Sequence, residues 1–301
     1  MRANFLGLFL GLIAWKIYLI VQLLPKKLGY WLILTLAQGI YIFWGGGRKR
    51  LLTNLALVRP DFEPELHQHA AQLRRAMART WSFLLGRGKV NLEELRERIE
   101  GAEPLLARYH AGEKLVVTAV HVGPVNELVP AVAALGVEIF APAEAIPPLL
   151  YGLMARLRMR FGGIGFDRVE KGETLKRCAA ALNKGRIVAF MVDMDREEER
   201  GVLCRIGGAC AYFPVGAVKL ALEQGATIIP VFPYYDQDWV PHLRVGEPFE
   251  LYPTGNSATD IELNLRRLVE EVFAPHIERY CDTWWRHFWA KLRPVERASS
   301  S

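Results

Sequence analysis

The residues best suited to chemistry are His121 and the two polar residues that follow it, Asn126 and Glu127. An apolar run ends at the histidine, a Gly-Pro pair makes a turn, and a helix is expected to begin near the acid. A carboxylate in that first turn can accept a hydrogen bond from one ring nitrogen, which leaves the other nitrogen as a general base. Taken alone, the pattern fits equally well an acid that interacts with the helix dipole beside a hydrogen-bonded histidine.

Other charged residues could contact a substrate. Arg158 and Arg160 precede a short predicted strand, and a guanidinium group matches phosphate bidentately, although a solvated basic helix face gives the same pattern. Asp193 and Asp195 follow another predicted strand, but two carboxylates alone are a poor metal site, so we predict that they orient an arginine or the acceptor. No metal is predicted.

Several enzyme classes are disfavoured because their motifs are missing. The sequence has no G-x-S-x-G, no H-E-x-x-H, no P-loop and no dinucleotide fingerprint. The spacing of the four cysteines fits neither a disulfide framework nor a zinc site, which predicts free thiols in a reducing compartment.

The hydrophobic pattern predicts the elements that position these residues. Beyond residue 112, short and continuous apolar runs alternate with helical segments, which indicates an α/β fold with a mostly parallel sheet covered by helices on both faces. Strands are expected near residues 115–120, 138–141, 165–166, 186–192 and 227–232. Helices are expected over 62–87, 92–99, 147–159, 173–183, 215–224 and, as a long aromatic-rich tail, 262–292.

The N-terminal part of the chain differs in composition from the rest. The protein has 301 residues, 51% of them hydrophobic, and a net charge of +6, yet its first 60 residues contain eight basic and no acidic residues. Residues 4–24 are long and apolar enough for a membrane span, residues 28–44 are marginal, and basic residues follow both runs. We therefore predict a membrane anchor and interfacial segment over 1–50, as one span or a shallow hairpin, and a cytoplasmic α/β domain over 51–301. These N-terminal basic residues predict contact with an anionic membrane surface. The other 241 residues carry 30 basic and 32 acidic residues, so the net positive charge is confined to one end, which argues against a nucleic-acid partner.

Several segments together resemble the bacterial lipid A biosynthesis (lauroyl/myristoyl) acyltransferases of the lysophospholipid acyltransferase superfamily, and their relatives that acylate phosphatidylinositol mannosides. The resemblance covers most of the chain: the N-terminal anchor, N-L-A-L-V-R-P at 54–60, the His121 segment, R-M-R at 158–160, the segment leading to Asp193 and Asp195, I-G at 206–207, G-A-T-I-I-P at 225–230 and W-W-R-H at 284–287. The family pattern is a histidine, four residues and then an acid, whereas here five residues precede Glu127 and Asn126 stands at the acid's position. Either Glu127 returns to the histidine through an enlarged turn, which we favour, or the Asn126 carbonyl oxygen orients the ring.

The resemblance implies an O-acyltransferase at the inner (cytoplasmic) membrane, with its catalytic domain facing the cytoplasm. It would transfer a fatty acyl chain from a thioester, on acyl carrier protein or CoA, to a hydroxyl of a glycolipid such as a lipid A precursor. His121 would be the general base, Arg158, Arg160, Asp193 and Asp195 would line the cleft, and no cofactor beyond the acyl donor is implied. The alternatives are an inactive lipid-binding homologue, acylation of a phosphatidylinositol mannoside or lysophospholipid, and a phospholipid hydrolase.

Overall fold

The computed structural model describes residues 2–84, 92–143, 164–168, 172–194, 201–288 and 290–295. Within these residues the strands are β1 (Ile99–Glu100), β2 (Leu115–Ala119), β3 (Ile139–Ala143), β4 (Ile164–Arg168), β5 (Ile187–Met191), β6 (Gly201–Ile206), β7 (Ala209–Pro214), β8 (Thr227–Tyr235), β9 (Pro241–Val245) and β10 (Arg293–Pro294).

Seven of these strands form one mixed sheet in the order β1-β9-β8-β2-β5-β3-β4. All its neighbouring strands are parallel except β8 and β9, which are antiparallel. The strand β2 lies near the middle, between β8 and β5. The predicted α/β class with a mostly parallel sheet is therefore confirmed.

The helices are α1 (Arg2–Leu23), α2 (Lys26–Phe43), α3 (Gly45–Val58), α4 (Leu66–Leu84), α5 (Leu92–Glu97), α6 (Ala102–His110), α7 (Val129–Ala133), α8 (Thr174–Leu182), α9 (Gly216–Gln224), α10 (Ser257–Arg267) and α11 (Ala274–Arg279). A 3₁₀ turn, Pro60–Glu65, precedes α4, and a π-helical turn, Leu268–Phe273, joins α10 to α11. The predicted helix over 147–159 lies outside the described residues.

The burial of the central strand β2 explains why its sequence is continuously apolar. Val116 of β2 packs into the large cluster formed with α3, α8, α9 and the C-terminal helices, whereas Leu115 and Val117 pack with α6 and the residues around α7. Because successive side chains of a strand point to opposite faces, both faces of β2 are covered. This burial rather than local propensity fixes the strand that leads to His121.

The prediction of a single tail helix over 262–292 is wrong. Within the described part of that segment, α11 ends at Arg279 and is followed by two 3₁₀ turns, Cys281–Thr283 and Trp285–Phe288. Of the aromatic residues that suggested a helical stripe, Trp284 lies between these turns and is 0% exposed, and Phe288 is buried in the second turn. The expectation that they pack on the domain is nevertheless confirmed for Trp284 and Phe288.

The N-terminal helices pack against the domain on one side only. Ile33 of α2 clusters with Ala78 of α4, and the Tyr41 hydroxyl lies 3.1 Å from Nδ1 of His67. Other α2 side chains are largely exposed, among them Trp31 (62%) and Phe43 (88%). Among the described residues, no single helix meets the length and hydropathy expected of a membrane span, and only α2 and α3 together, bent by 91°, meet them.

The bend between these helices lies at one residue. Trp44 alone leaves the helical conformation, and Gly45, Gly46 and Gly47 form the first turn of α3. A Cβ atom at position 47 would lie 2.4 Å from the Trp44 ring, so a larger residue there would force that ring to move.

Candidate active site

His121 lies just past the carboxyl end of β2, two residues beyond Ala119. Its side chain is 22% exposed. The ligand-binding end of a parallel sheet is normally the carboxyl end of its strands, because the loops that follow the strands meet there. His121 therefore lies at the carboxyl-terminal edge of the sheet, at the end of the apolar run that the sequence placed before it.

The acid that contacts the imidazole is Asp193, from the neighbouring strand. Ala119 of β2 pairs with Met191 of β5, so His121 and Asp193 stand at equivalent positions, two residues past a paired position. Asp193 Oδ1 lies 2.7 Å from Nδ1 of His121. Its Oδ2 accepts hydrogen bonds from the His121 backbone N–H and from the Trp284 indole N–H, both at 2.8 Å.

The surroundings keep the Asp193 carboxylate ionised. Complete burial raises its pKa, but the charge and hydrogen bond of His121, the Arg286 guanidinium and the Trp284 hydrogen bond outweigh burial and hold that pKa below its usual range. An ionised carboxylate can only accept hydrogen bonds, so Nδ1 of His121 carries the proton in the neutral ring. The lone pair of that ring is then on Nε2, for which the described residues supply no hydrogen-bond partner.

Glu127, the acid that the sequence favoured, is held by other residues. Its side chain is 6% exposed and lies 3.0 Å from Nε of Arg79, and it accepts a hydrogen bond from the Tyr235 hydroxyl. Burial raises the pKa of Glu127, and Arg79 and Tyr235 oppose that rise. The structure thus corrects the expectation that Glu127 returns to the histidine, because the carboxylate turns toward α4 and β8 while β5 supplies the acid at Nδ1.

Asn126 is also buried, at 5% exposure, in the loop between His121 and α7. The orientation of the ring through Asp193 needs no contribution from the Asn126 carbonyl oxygen. Asp193, which the sequence predicted to bind substrate, instead orients the His121 ring, because both of its carboxylate oxygens are engaged by His121 and Trp284.

Three contributors to this region were missed in the sequence. Trp284 and Arg286 come from the C-terminal turns, and Arg79 comes from α4, about forty residues before His121. The W-W-R-H segment was a usable signal for the first two, because consecutive Trp and Arg residues in a buried turn usually have polar partners. Arg79 gave no signal, since it stands on a helix among other basic residues.

The remaining predicted site residues, Arg158, Arg160 and Asp195, lie outside the described residues. Their role in substrate binding stays a prediction.

A separate polar cleft of about 570 Å³ opens between α3, the hairpin of β6 and β7, and α11. Its charged side chains are engaged internally: Arg59 pairs with Asp61, and Glu278 accepts from the Gly207 N–H. A Cβ atom at Gly207 would lie 2.2 Å from the Val58 carbonyl oxygen, so the hairpin packs directly on the backbone of α3. The N-L-A-L-V-R-P segment at 54–60 also has a structural role, because the Asn54 side-chain amide donates to the carbonyl oxygens of His287 and Ala290.

No curated protein matches this sequence. The bacterial lipid A biosynthesis acyltransferase family matches over residues 3–290, nearly the full chain, and this span includes His121, Asp193 and Trp284. The chain therefore belongs to the bacterial lipid A biosynthesis acyltransferase family.

Proposed function

We propose that this acyltransferase moves a fatty acyl chain from a thioester, on acyl carrier protein or CoA, to a hydroxyl of a glycolipid such as a lipid A precursor, with His121 as general base. The observation that carries the proposal is the Asp193–His121 pair at the carboxyl ends of two parallel strands. It supplies a neutral imidazole whose free nitrogen, Nε2, can take a proton from a bound hydroxyl.

The reaction needs one proton acceptor and no covalent acyl-enzyme. Nε2 takes the hydroxyl proton as the alcohol oxygen attacks the thioester carbonyl carbon, and the resulting imidazolium is stabilised by the Asp193 carboxylate. The tetrahedral intermediate then collapses, the C–S bond breaks, and the thiolate leaves and is protonated by His121 or water. The products are an ester and a thiol, and because a thioester is already activated, we propose no cofactor beyond the acyl donor.

The predicted substrate contacts belong to this proposal. Arg158 and Arg160 would bind phosphate on the acyl carrier or on a phosphorylated acceptor. Asp195 would orient an arginine or the acceptor.

Membrane association is the second part of the proposal. Exposed apolar side chains of α2, such as Trp31 and Phe43, would enter the lipid while Lys26, Lys27 and the basic start of α3 contact anionic headgroups. We place this surface on the cytoplasmic side of the inner membrane. The boundary at residue 50 between the anchor and the catalytic domain stays a prediction. Helix α2, which precedes this boundary, packs against α4, which follows it.

The combined Lys26→Gln, Lys27→Gln and Arg48→Gln variant should bind vesicles of phosphatidylcholine and phosphatidylglycerol about 10²-fold more weakly, because each basic residue near an anionic surface contributes about 1 kcal/mol. Cosedimentation over a vesicle titration measures this. The matched control removes the same charge at Lys176, Lys184 and Lys219, on or beside α8 and α9, and should leave binding unchanged. Equal weakening by both triple variants would contradict the assigned surface.

The proposed activity predicts ester formation that depends on an acceptor. We expect the purified protein, given labelled acyl-carrier-protein and acyl-CoA donors, to label a lipid A precursor more than a phosphatidylinositol mannoside or a lysophospholipid. Thin-layer chromatography and mass spectrometry of the lipid products measure this. Free fatty acid released without any acceptor would identify a hydrolase, and intact donor with every acceptor would identify an inactive lipid-binding homologue. Either result overturns the proposal, and preferential labelling of another acceptor overturns its glycolipid part.

A further inference from the structure

The turns that follow α11 are attached to the backbone of the catalytic histidine. We call residues 281–288 the C-terminal segment. Within it, Trp284 forms an isolated antiparallel bridge with Val122. The Gly123 N–H donates to the Thr283 carbonyl oxygen at 3.1 Å, and the Trp285 N–H donates to the His121 carbonyl oxygen at 3.0 Å. The backbone on both sides of Val122 is therefore fixed by residues about 160 positions away.

One side chain of this segment also reaches the carboxylate that orients the imidazole. The Trp284 ring is fully buried, and its indole N–H donates to Asp193 Oδ2 at 2.8 Å. Because Oδ1 faces Nδ1 of His121, the carboxylate is held at both oxygens. A rotation of the Asp193 carboxylate that released Nδ1 would also break the bond to Trp284.

We infer that Trp284 is a positioning residue for the transfer reaction, which holds the Asp193 carboxylate in register with His121. The inference rests on the proposed role of His121 as base. Trp284 does not have to touch either substrate, because its hydrogen bond ends on Asp193.

The charged and titratable groups around this contact make the effect measurable as a pH shift. His121 and the buried Arg286 guanidinium interact with Asp193, and His287 packs edge-on against the Trp284 ring, with centroids 5.0 Å apart. Burial lowers the pKa of His287 to about 3 and raises that of Cys281, next to it, well above its usual value. Both are neutral over the working range. Glu127, whose pKa burial raises, interacts with Arg79 and Tyr235 rather than with Asp193, so a shift of the acid limb in a Trp284 variant reports the His121–Asp193 pair.

The chain provides a matched control for the test. The Trp285 indole N–H is buried and has no hydrogen-bond partner among the described residues. Trp285→Phe therefore removes the same atoms from the same segment without touching Asp193, and its backbone bond to His121 is kept. Trp284→Phe removes the indole donor and keeps an aromatic ring in the core.

For Trp284→Phe we expect kcat to fall about tenfold and the acid limb of kcat/KM to move upward by roughly one to two pH units, the scale of one hydrogen bond to a charged group. The sign follows because a carboxylate that has lost a donor makes the pair bind a proton more readily. Trp285→Phe should leave the acid limb in place. A purely structural role for Trp284 would lower the melting temperature and the active fraction but would not move the limb.

A second readout does not need the transferase activity. Diethyl pyrocarbonate reacts with a histidine ring only when that ring is neutral, so the pH dependence of His121 modification, followed by peptide mass spectrometry, reports the same pair. It should shift upward in Trp284→Phe and not in Trp285→Phe. An unshifted profile in Trp284→Phe, or an equal shift in both variants, overturns the inference. A shift in a protein that transfers no acyl group supports the positioning contact and rejects the proposed function instead.

Discussion

We expect His121→Ala to lower kcat for acyl transfer by about 10³-fold or more, because the substitution removes the only proposed proton acceptor for the hydroxyl nucleophile. The fold should survive, since the imidazole is partly exposed and both remaining donors to Asp193 Oδ2, the residue-121 backbone N–H and the Trp284 indole N–H, are kept. Initial rates with labelled donor measure the loss. Far-ultraviolet circular dichroism and the melting temperature show whether the protein is still folded.

A second histidine serves as the matched control for this variant. His242 of β9 has the same 22% side-chain exposure and also pairs with a carboxylate, with Nε2 lying 3.2 Å from Asp236 Oδ2. His242→Ala should keep near wild-type kcat, because that pair lies on the antiparallel hairpin of β8 and β9 rather than beside β5. Near-full activity of His121→Ala would remove His121 from the mechanism.

Much of the fold could be predicted from local pattern. Continuous apolar runs bounded by turn residues located β2, β3, β5 and β8 to within a few residues, because strands buried on both faces have little freedom in composition. The C-terminal region could not be predicted in this way. Its aromatic residues recur at helical spacing, yet the chain leaves the helix after Arg279 so that Trp284 can reach the carboxylate at the end of β5.

The partner of His121 could not be predicted because the sequence does not give the order of the strands in the sheet. His121 was identified from its own segment, but its partner was assigned to the nearest acid along the chain, Glu127. The structure places β5 beside β2 although β3 and β4 intervene in sequence, so Asp193 reaches His121 from 72 residues away. A single sequence shows that an acid follows the β5 strand, but not that this strand is the neighbour of β2.

Asp193→Asn should lower kcat by about 10³- to 10⁴-fold, the scale seen when the acid that orients a catalytic histidine becomes an amide. The carboxamide retains the shape of the carboxylate and one oxygen that can accept from Trp284. Its NH₂ group would face Nδ1 of His121 and donate to it, which selects the tautomer with the proton on Nε2. The general base is then lost at the atom that must take the hydroxyl proton, and no negative charge remains to stabilise the imidazolium. Steady-state kinetics with the melting temperature recorded in parallel measures the effect.

The contrast with Glu127→Gln decides which of the two acids serves the histidine. In that variant the Tyr235 hydroxyl can still donate to the amide oxygen, while the ion pair with Arg79 is lost. Breaking a largely buried ion pair destabilises a protein, so we expect a lower melting temperature but a kcat much closer to wild type than that of Asp193→Asn. The reverse ranking, with Asp193→Asn active and Glu127→Gln inactive in folded protein, would return the orienting role to Glu127. Asp193 is expected to dominate because its carboxylate, and not that of Glu127, lies within hydrogen-bond distance of Nδ1.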